Sequence, residues 1–188
     1  MCHMDIQRFD ISGPLLLTLQ TFPDERGWFA EAYNARAFSE ATGEHPVFVQ
    51  QNLSVSVRGV LRGLHFQKPP HAQDKLIRVE SGEVLDVAVD LRRGSPTFGR
   101  WISVRLSSET PQCFFIPKGF AHGFAVLSKT ASFQYLVTDF WDKASEGGVV
   151  WNDPDLAIDW MIKTPIVAKK DAELPRFSEL GDIFRYGE

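Results

Sequence analysis

One histidine and one lysine are spaced so that they could transfer a proton. His65 lies near the end of the apolar run Gly59–Gln67, and Lys75 begins the next run after a Pro-rich turn. A hairpin connection would bring the two side chains together. A histidine that titrates near neutral pH, beside a lysine that can hold negative charge, is a workable proton-transfer pair. The pattern alone favours the simpler alternative of a core histidine bonded to backbone and a lysine that extends to solvent.

Aromatic and histidine side chains in the second half of the sequence are further candidates. Regular alternation over Ser132–Trp141 places Tyr135 and Trp141 on one face of a predicted strand. Tyr135 can donate a proton, and Trp141 can stack on a planar ring. His122 precedes Gly123, and a glycine lets a ligand approach the backbone closely. Burial in an apolar core remains an equally simple interpretation of all three side chains.

The net charge excludes one class of ligand and leaves another open. The 188 residues carry a formal net charge of −4, whereas binding to nucleic acid by bulk electrostatics needs a basic face. A local basic pocket for a small phosphorylated ligand is compatible with this charge. Arg26, Arg62 and Arg78 are candidates to clamp a phosphate, because the guanidinium fork matches its geometry. Each of them, taken singly, also fits a surface charge.

Metal-ligand and membrane signals are weak or absent in the sequence. The histidines include no pair one residue apart, and the spacing offers no two-His-one-carboxylate triad. Cys2 and Cys113 form neither a disulfide framework nor a ligand cluster. No apolar run approaches the roughly 18–20 residues that span a bilayer, and the first residues lack the layout of a signal peptide. We therefore expect no bound metal, no membrane contact and a reducing, cytoplasmic location.

Short strands are predicted to carry most of these residues. Period-two runs separated by turn signals begin at Val47, and about eight or nine of them follow at roughly ten-residue spacing, as in an antiparallel sandwich or barrel. In Glu83–Leu91 the alternation is clean, with Leu85 and Val87 on one face and Val84 and Asp86 on the other. The predicted strands are Val47–Leu53, Gly59–Gln67, Lys75–Glu80, Glu83–Leu91, Trp101–Leu106, Gln112–Ile116, Phe124–Leu127 and Ser132–Trp141.

One helix and a C-terminal tail complete the predicted organisation. The helix covers Ala35–Thr42, with Asn34 as its cap and Gly43 at its end. The segment from about residue 152 is mixed and contains prolines, and we expect it to wrap the barrel. The sequence shows no linker, so residues 1–188 are predicted to form a single domain.

Longer motifs, taken in order, resemble one known family. The segments are Asp24–Gly27, Phe48–Asn52, Gly59–Gln67, Lys75–Leu76, Gly82–Val84, Asp86–Arg92, Ser95–Gly99, Ile116–Phe124 and Trp151–Pro154. Together they make the chain similar to the dTDP-4-dehydrorhamnose 3,5-epimerases, enzymes of nucleotide-sugar biosynthesis. The resemblance implies an all-β cupin jelly-roll barrel with a few short helices. It also implies a homodimer that uses no metal or other cofactor.

The resemblance further implies a substrate and four catalytic residues. The substrate is dTDP-4-dehydro-6-deoxy-D-glucose and the product is dTDP-4-dehydro-L-rhamnose. The C4 ketone acidifies the protons at C3 and C5, because each carbanion delocalises as an enolate. By resemblance, His65 is the base and Tyr135 the acid on the opposite face. Asp171 would pair with the histidine and orient it, and Lys75 would stabilise the enolate.

The family's nucleotide-binding positions also map onto this sequence. By resemblance they are Arg26, Glu31, Gln50, Asn52, Arg62, His122, Glu146 and Lys170. Arg62 would hold the diphosphate, and Trp141 replaces the family's base-stacking tyrosine. Arg26 and Glu31 are expected to serve the partner's site. Arg62 and His65 are three residues apart and would face opposite sides of a regular strand, so we expect a bulge at Gly63 or a contribution from the partner.

Three alternative functions are compatible with much of this pattern. A relative that epimerises only C3 or only C5 keeps the same histidine and tyrosine. A cupin 3,4-ketoisomerase would share the fold but move protons differently. A catalytically silent nucleotide-sugar binding protein would lack one of His65, Tyr135 and Asp171, and all three are present.

Overall fold

The computed structural model describes residues 4–187, so Cys2 and His3 lie outside it. Its helical segments are α1 (Ala35–Thr42), α2 (Lys169–Ala172) and a single-turn 3-10 helix (Phe177–Glu179). Its strands are β1 (Met4–Arg8), β2 (Leu15–Leu19), β3 (Thr21–Asp24), β4 (Gly27–Ala30), β5 (Gln50–Val57), β6 (Val60–Gln67), β7 (Lys75–Ser81), β8 (Glu83–Asp90), β9 (Arg92–Arg93), β10 (Trp101–Ser107), β11 (Gln112–Ile116), β12 (Phe120–Val126), β13 (Thr130–Val137), β14 (Glu146–Gly148), β15 (Ile166–Val167) and β16 (Phe184–Arg185).

Two antiparallel sheets enclose the main core. The first sheet has the order β1-β2-β11-β7-β13-β5, and the second has the order β10-β8-β12-β6-β14. The short strand β15 joins the second sheet by pairing in parallel with β6. Side chains from both sheets meet in one cluster, among them Ile77 and Phe133 from the first sheet and Val84 and Phe124 from the second. The predicted all-β barrel of antiparallel strands is confirmed.

Strand β8 is buried on both faces. Val84 and Ala88 belong to the cluster between the sheets. Leu85 and Val87 belong to a second cluster on the outer face of the sheet, which also contains Trp160 from the C-terminal tail. The predicted alternation of this strand is therefore correct. The tail packs against the apolar outer face and covers it, which explains why every residue of β8 after Glu83 is buried.

Helix α1 lies where its capping residues predict. The Asn34 side chain accepts a hydrogen bond of 3.1 Å from the backbone N–H of Ala37. The helix ends at Gly43, whose φ of 81° is the left-handed conformation that glycine adopts readily. No helix among residues 4–187 is both long and apolar enough to cross a membrane.

Several strands were missed or misplaced by the sequence pattern. The sequence pattern does not predict the four strands before α1, and for β2 the reason is clear. Its sequence LLLTL is nearly continuous in apolar residues, so it lacks the period-two signal. Strand β12 begins at Phe120 rather than Phe124, and all of its residues are buried. The cause is the same for β2 and β12, because a strand covered on both faces does not alternate.

Candidate active site

A cavity of about 640 Å³ opens between the two sheets. Strands of both sheets line it, together with the loop after β13 and the segment that contains α2. The residues from the sequence analysis that line it are Asn52, Arg62, His65, Lys75, His122, Tyr135, Trp141, Glu146, Lys170 and Asp171. Gln50 adjoins them, because its side-chain amide donates to the Asn52 side chain at 2.9 Å.

Two predicted binding residues lie away from this cavity. Arg26 is in the exposed turn between β3 and β4, where its Nε donates to Asp24 at 3.1 Å. Glu31 follows β4 and accepts a hydrogen bond of 3.1 Å from the Asn34 side chain. Neither residue is among those that line the cavity of the same chain.

His65 is paired with the carboxylate of Asp171. Its Nε2 lies 2.8 Å from Asp171 Oδ1, and the backbone N–H of Gly63 donates to Asp171 Oδ2 at 3.2 Å. Burial alone would raise the pKa of Asp171, but the hydrogen bonds and charge from His65 and the Gly63 N–H outweigh it and lower the pKa. Asp171 is therefore ionised, and its Oδ1 accepts a hydrogen bond from the Nε2–H of His65. In a neutral ring this leaves Nδ1 unprotonated and basic.

A bulge at Gly63 brings Arg62 and His65 to the same cavity. His65 pairs with His122, and Arg62 pairs with Phe124, so three steps along β6 match two steps along β12. Gly63 has a φ of 122°, and a Cβ there would lie 2.5 Å from the Gly123 Cα. Only glycine fits both requirements. The expected bulge is confirmed.

Lys75 reaches the site from the opposite sheet rather than across a hairpin. Strands β6 and β7 belong to different sheets, so the expected hairpin pairing is wrong, yet the side chains converge inside the barrel. Lys75 Nζ lies 3.5 Å from the carbonyl oxygen of His65. The lysine is only 8% exposed. Burial lowers the pKa of its amino group to about 8, while the negative charge of Asp86 opposes this effect.

Asp86 is a buried acid that the sequence analysis did not include among the site residues. It is fully buried on β8, and His122 Nε2 lies 3.0 Å and 3.2 Å from its two carboxylate oxygens. Burial raises the pKa of Asp86 and lowers the pKa of His122, and the attraction between the two groups opposes both shifts. The available signal was its position, because Asp86 lies on the core-facing side of β8 with Val84 and Ala88, where an acid needs partners.

Tyr135 faces the cavity from the first sheet, whereas His65 lies on the second. Burial raises the pKa of the phenol, and the opposing charges of Arg62 and Glu146 are smaller influences. Its hydroxyl is therefore protonated at neutral pH. A base on one sheet and an acid on the other can act on opposite faces of a ring held between them.

Trp141 lies beyond the end of β13. The strand stops at Val137, so the alternation that placed Trp141 on the same strand face as Tyr135 does not extend to it, and that prediction is wrong. The chain bends after Val137, and the backbone N–H of Trp141 donates to the Gln50 side chain at 3.1 Å. Trp141 nevertheless lines the cavity, with 57% of its surface exposed.

Charged groups at the cavity are held by neighbours. Lys170 Nζ lies 3.3 Å from Glu146 Oε1. The Arg62 guanidinium donates twice to the Ser56 hydroxyl, at 3.2 Å each. Within residues 4–187, no three His, Cys, Asp or Glu side chains are grouped as metal ligands would be.

The jelly-roll barrel and this set of ionisable groups define a cupin-type isomerase that acts by proton transfer. The family model for dTDP-4-dehydrorhamnose 3,5-epimerase matches residues 8–179. The chain belongs to this family of epimerases.

Individual relatives agree with this assignment. A dTDP-4-dehydrorhamnose 3,5-epimerase of Pseudomonas aeruginosa is 53% identical over 178 residues, which cover 94% of this chain and 97% of the relative. The crystal structure of an epimerase from Legionella pneumophila, in complex with dTDP-4-keto-L-rhamnose, superposes with a TM-score of 0.94. It is 44% identical and covers 99% of this chain and 100% of that one. A dTDP-4-dehydrorhamnose 3-epimerase of Streptomyces niveus is 40% identical, covering 95% of this chain and 86% of the relative.

Proposed function

We propose that this chain inverts C3 and C5 of dTDP-4-dehydro-6-deoxy-D-glucose and releases dTDP-4-dehydro-L-rhamnose. The observation that carries the proposal is that His65 on the second sheet, paired with Asp171 of α2, shares the cavity with Tyr135 on the first sheet. The 53% identical relative from Pseudomonas aeruginosa and the Legionella pneumophila complex support this substrate class.

Each inversion transfers two protons. Neutral His65 takes the proton from C3 or C5, and the electrons of the broken C–H bond form an enolate whose charge rests on the C4 oxygen. Lys75, charged and desolvated, stabilises that oxygen more effectively than it would in water. Tyr135 then donates its proton to the carbon from the opposite face. Solvent removes the proton from His65 and returns one to Tyr135 before the second carbon reacts.

The nucleotide occupies the same cavity in this proposal. Arg62 binds the diphosphate, because its guanidinium fork suits phosphate oxygens. Trp141 stacks on the thymine ring, and its exposed side chain leaves a face free for that contact. Gln50, Asn52, His122, Glu146 and Lys170 supply the remaining polar contacts to sugar and nucleotide.

A second copy of the chain completes the site in the same proposal. Strand β5 is an edge of the first sheet, and its Leu53, Val55 and Val57 side chains are exposed. The β3–β4 hairpin also exposes Trp28 and Phe29. Apolar groups on a free sheet edge are typical of an interface. Dimerisation through them would let Arg26 and Glu31 enter the cavity of the partner.

Mixed dimers test this arrangement. Arg26→Ala and His65→Ala chains are co-expressed with different tags, and the heterodimer is purified. If Arg26 acts on the partner's site, one complete site forms and about half of the wild-type activity returns. If Arg26 acts within its own chain, both sites of the heterodimer stay defective and it is inactive. If the protein is a monomer, no heterodimer is recovered.

The test of the reaction is turnover in deuterated water followed by NMR of the product. Deuterium at both C3 and C5, with inverted configuration at both, supports the proposal. Label and inversion at C3 alone would assign the 3-epimerase activity for which the Streptomyces niveus relative is named. Binding of the nucleotide sugar with no exchange at either carbon would identify a binding protein and overturn the proposal.

A further inference from the structure

Gln67 is a buried amide that has no role in the proton transfers. It is the last residue of β6, two positions after His65, and only 5% of its surface is exposed. Its Nε2 donates to the carbonyl oxygens of His71 at 2.8 Å and Phe140 at 3.1 Å. Its Oε1 accepts from the backbone N–H of Asp142 at 2.7 Å. All three partners are backbone groups, so the amide fixes the path of the backbone rather than the position of another side chain.

Two of these partners are the residues on either side of Trp141. The Phe140 carbonyl and the Asp142 N–H point to the same amide, while the Trp141 N–H is bonded to Gln50. Phe140, Trp141 and Asp142 lie in the loop between β13 and β14, and all three are thus anchored to strands β5 and β6. The contact to His71 ties the loop after β6 to the same point.

We infer that Gln67 is a positioning residue for Trp141, holding the backbone on both sides of it so that the indole stands ready to stack on the nucleobase. The inference rests on the proposed stacking role of Trp141. A side chain with 57% of its surface exposed is not held by packing alone, so its direction depends on its backbone. Fixing that direction before binding lowers the entropy lost when the nucleotide binds.

Apart from the Gln50 contact to the backbone N–H of Trp141, the other polar contacts hold the ends of this loop. His71 Nδ1 lies 3.0 Å from Asp139 Oδ2, and the Gln73 side chain donates to the Asp139 carbonyl at 2.8 Å. At the other end, the Ser145 N–H donates to Asp142 Oδ1 at 2.7 Å. The loop therefore keeps both attachments when Gln67 changes, and the expected effect is confined to the residues next to Trp141.

A double-mutant cycle separates positioning from general structural support. The four proteins are wild type, Gln67→Leu, Trp141→Ala and the double variant, and titration calorimetry measures their affinity for dTDP. We expect Gln67→Leu to weaken dTDP binding by about tenfold in wild type and by less than about twofold in the Trp141→Ala background. The kcat of Gln67→Leu at saturating substrate should stay within about twofold of wild type, because weaker binding of the nucleotide raises KM instead.

A ligand control and a protein control accompany the cycle. Inorganic pyrophosphate has no base to stack, so its affinity should be the same for wild type and Gln67→Leu. Gln112→Leu makes the same substitution away from the loop, where the amide donates to the Thr18 hydroxyl at 3.2 Å in the strand pair β11–β2, and should leave dTDP affinity unchanged. If Gln67→Leu does not fold, Gln67→Glu replaces it, since the carboxylate still accepts from Asp142 but loses both donors.

Two results would overturn the inference. Equal weakening by Gln67→Leu with and without Trp141 would show that the amide acts through something else. Unchanged dTDP affinity of Trp141→Ala would remove the stacking contact that Gln67 is inferred to position. The proposed epimerisation fails separately, by the absence of deuterium exchange in wild type.

Discussion

Replacing Lys75 by methionine should stabilise the fold while it removes most of the activity. Burial lowers the pKa of the Lys75 amino group from 10.5 to about 8. The unfolded chain keeps the usual lysine pKa, so at pH 7 the folded protein holds a charge that water would solvate better. The difference between 10.5 and about 8 corresponds to about 3 kcal/mol of unfolding free energy. Methionine fills similar space without the charge.

A lysine with an acidic neighbour usually has a raised pKa and stabilises the fold, whereas burial lowers the pKa of Lys75 and makes its charge destabilising. Below pH 8 both folded and unfolded chains are protonated at Lys75, and the whole destabilisation is present. Between pH 8 and 10.5 the unfolded chain binds more protons, so wild-type stability rises with pH. The advantage of Lys75→Met should therefore shrink from about 3 kcal/mol at pH 7 to below about 1 kcal/mol at pH 10.

Urea unfolding at these two pH values, at one protein concentration, measures the difference. Lys129→Met is the matched control, because Lys129 is exposed in the loop between β12 and β13, and it should change stability little at either pH. If Lys75→Met is no more stable than wild type at pH 7, Lys75 is not held as a desolvated charge.

The pH dependence of catalysis gives a second, independent measure of the same group. If charged Lys75 stabilises the enolate, kcat/KM should fall above pH 8 by about tenfold per pH unit. Tyr135 cannot cause this fall, because burial raises the pKa of its phenol above its usual value of 10.0. Lys75→Met should be slow at every pH and lack the decline. A wild-type profile that stays flat to pH 10 would refute the role of Lys75.

The remaining predictions concern the acid–base residues and metals. His65→Ala should abolish deuterium exchange at C3 and C5 while circular dichroism stays that of the folded barrel; a folded variant with wild-type exchange would contradict the assignment. Asp171→Asn should lower kcat by about a thousandfold or more, because the amide no longer fixes the histidine tautomer, and a loss below tenfold would argue against this. Tyr135→Phe should lose inversion more than exchange, since His65 can return the proton to the same face; equal losses would show that Tyr135 is not a dedicated acid. EDTA should leave activity unchanged because Lys75 meets the enolate charge, and inhibition reversed by a divalent ion would contradict that expectation.

Patterns within short segments of the sequence correctly predict the buried faces of a strand and the ends of a helix. The alternation in Glu83–Leu91 correctly predicted the two faces of β8, and Asn34 and Gly43 correctly predicted the ends of α1. The family resemblance placed Arg62 and His65 at one site, and their three-residue spacing then predicted either a bulge at Gly63 or a contribution from the partner; the bulge is present. These inferences succeeded since each rests on geometry within one short segment.

The sequence could not predict features that depend on the other sheet or on loop direction. Lys75 meets His65 across the barrel interior rather than through strand pairing. Trp141 reaches the cavity from a loop whose path is set by Gln50 and Gln67, which lie far away in the sequence. The environment of Asp86 depends on His122 from its own sheet and Lys75 from the other, and that arrangement exists only after both sheets have assembled.

The pairing of His65 with Asp171 has a consequence for how the protein matures. The two residues are 106 positions apart, and Asp171 lies in the tail, beyond all but the last short strand of the chain. During synthesis the ribosome therefore releases His65, Lys75 and Tyr135 well before Asp171. A nascent chain can bury its core while its histidine still lacks the carboxylate that fixes the tautomer. The His65–Asp171 pair forms only when the tail docks on the barrel.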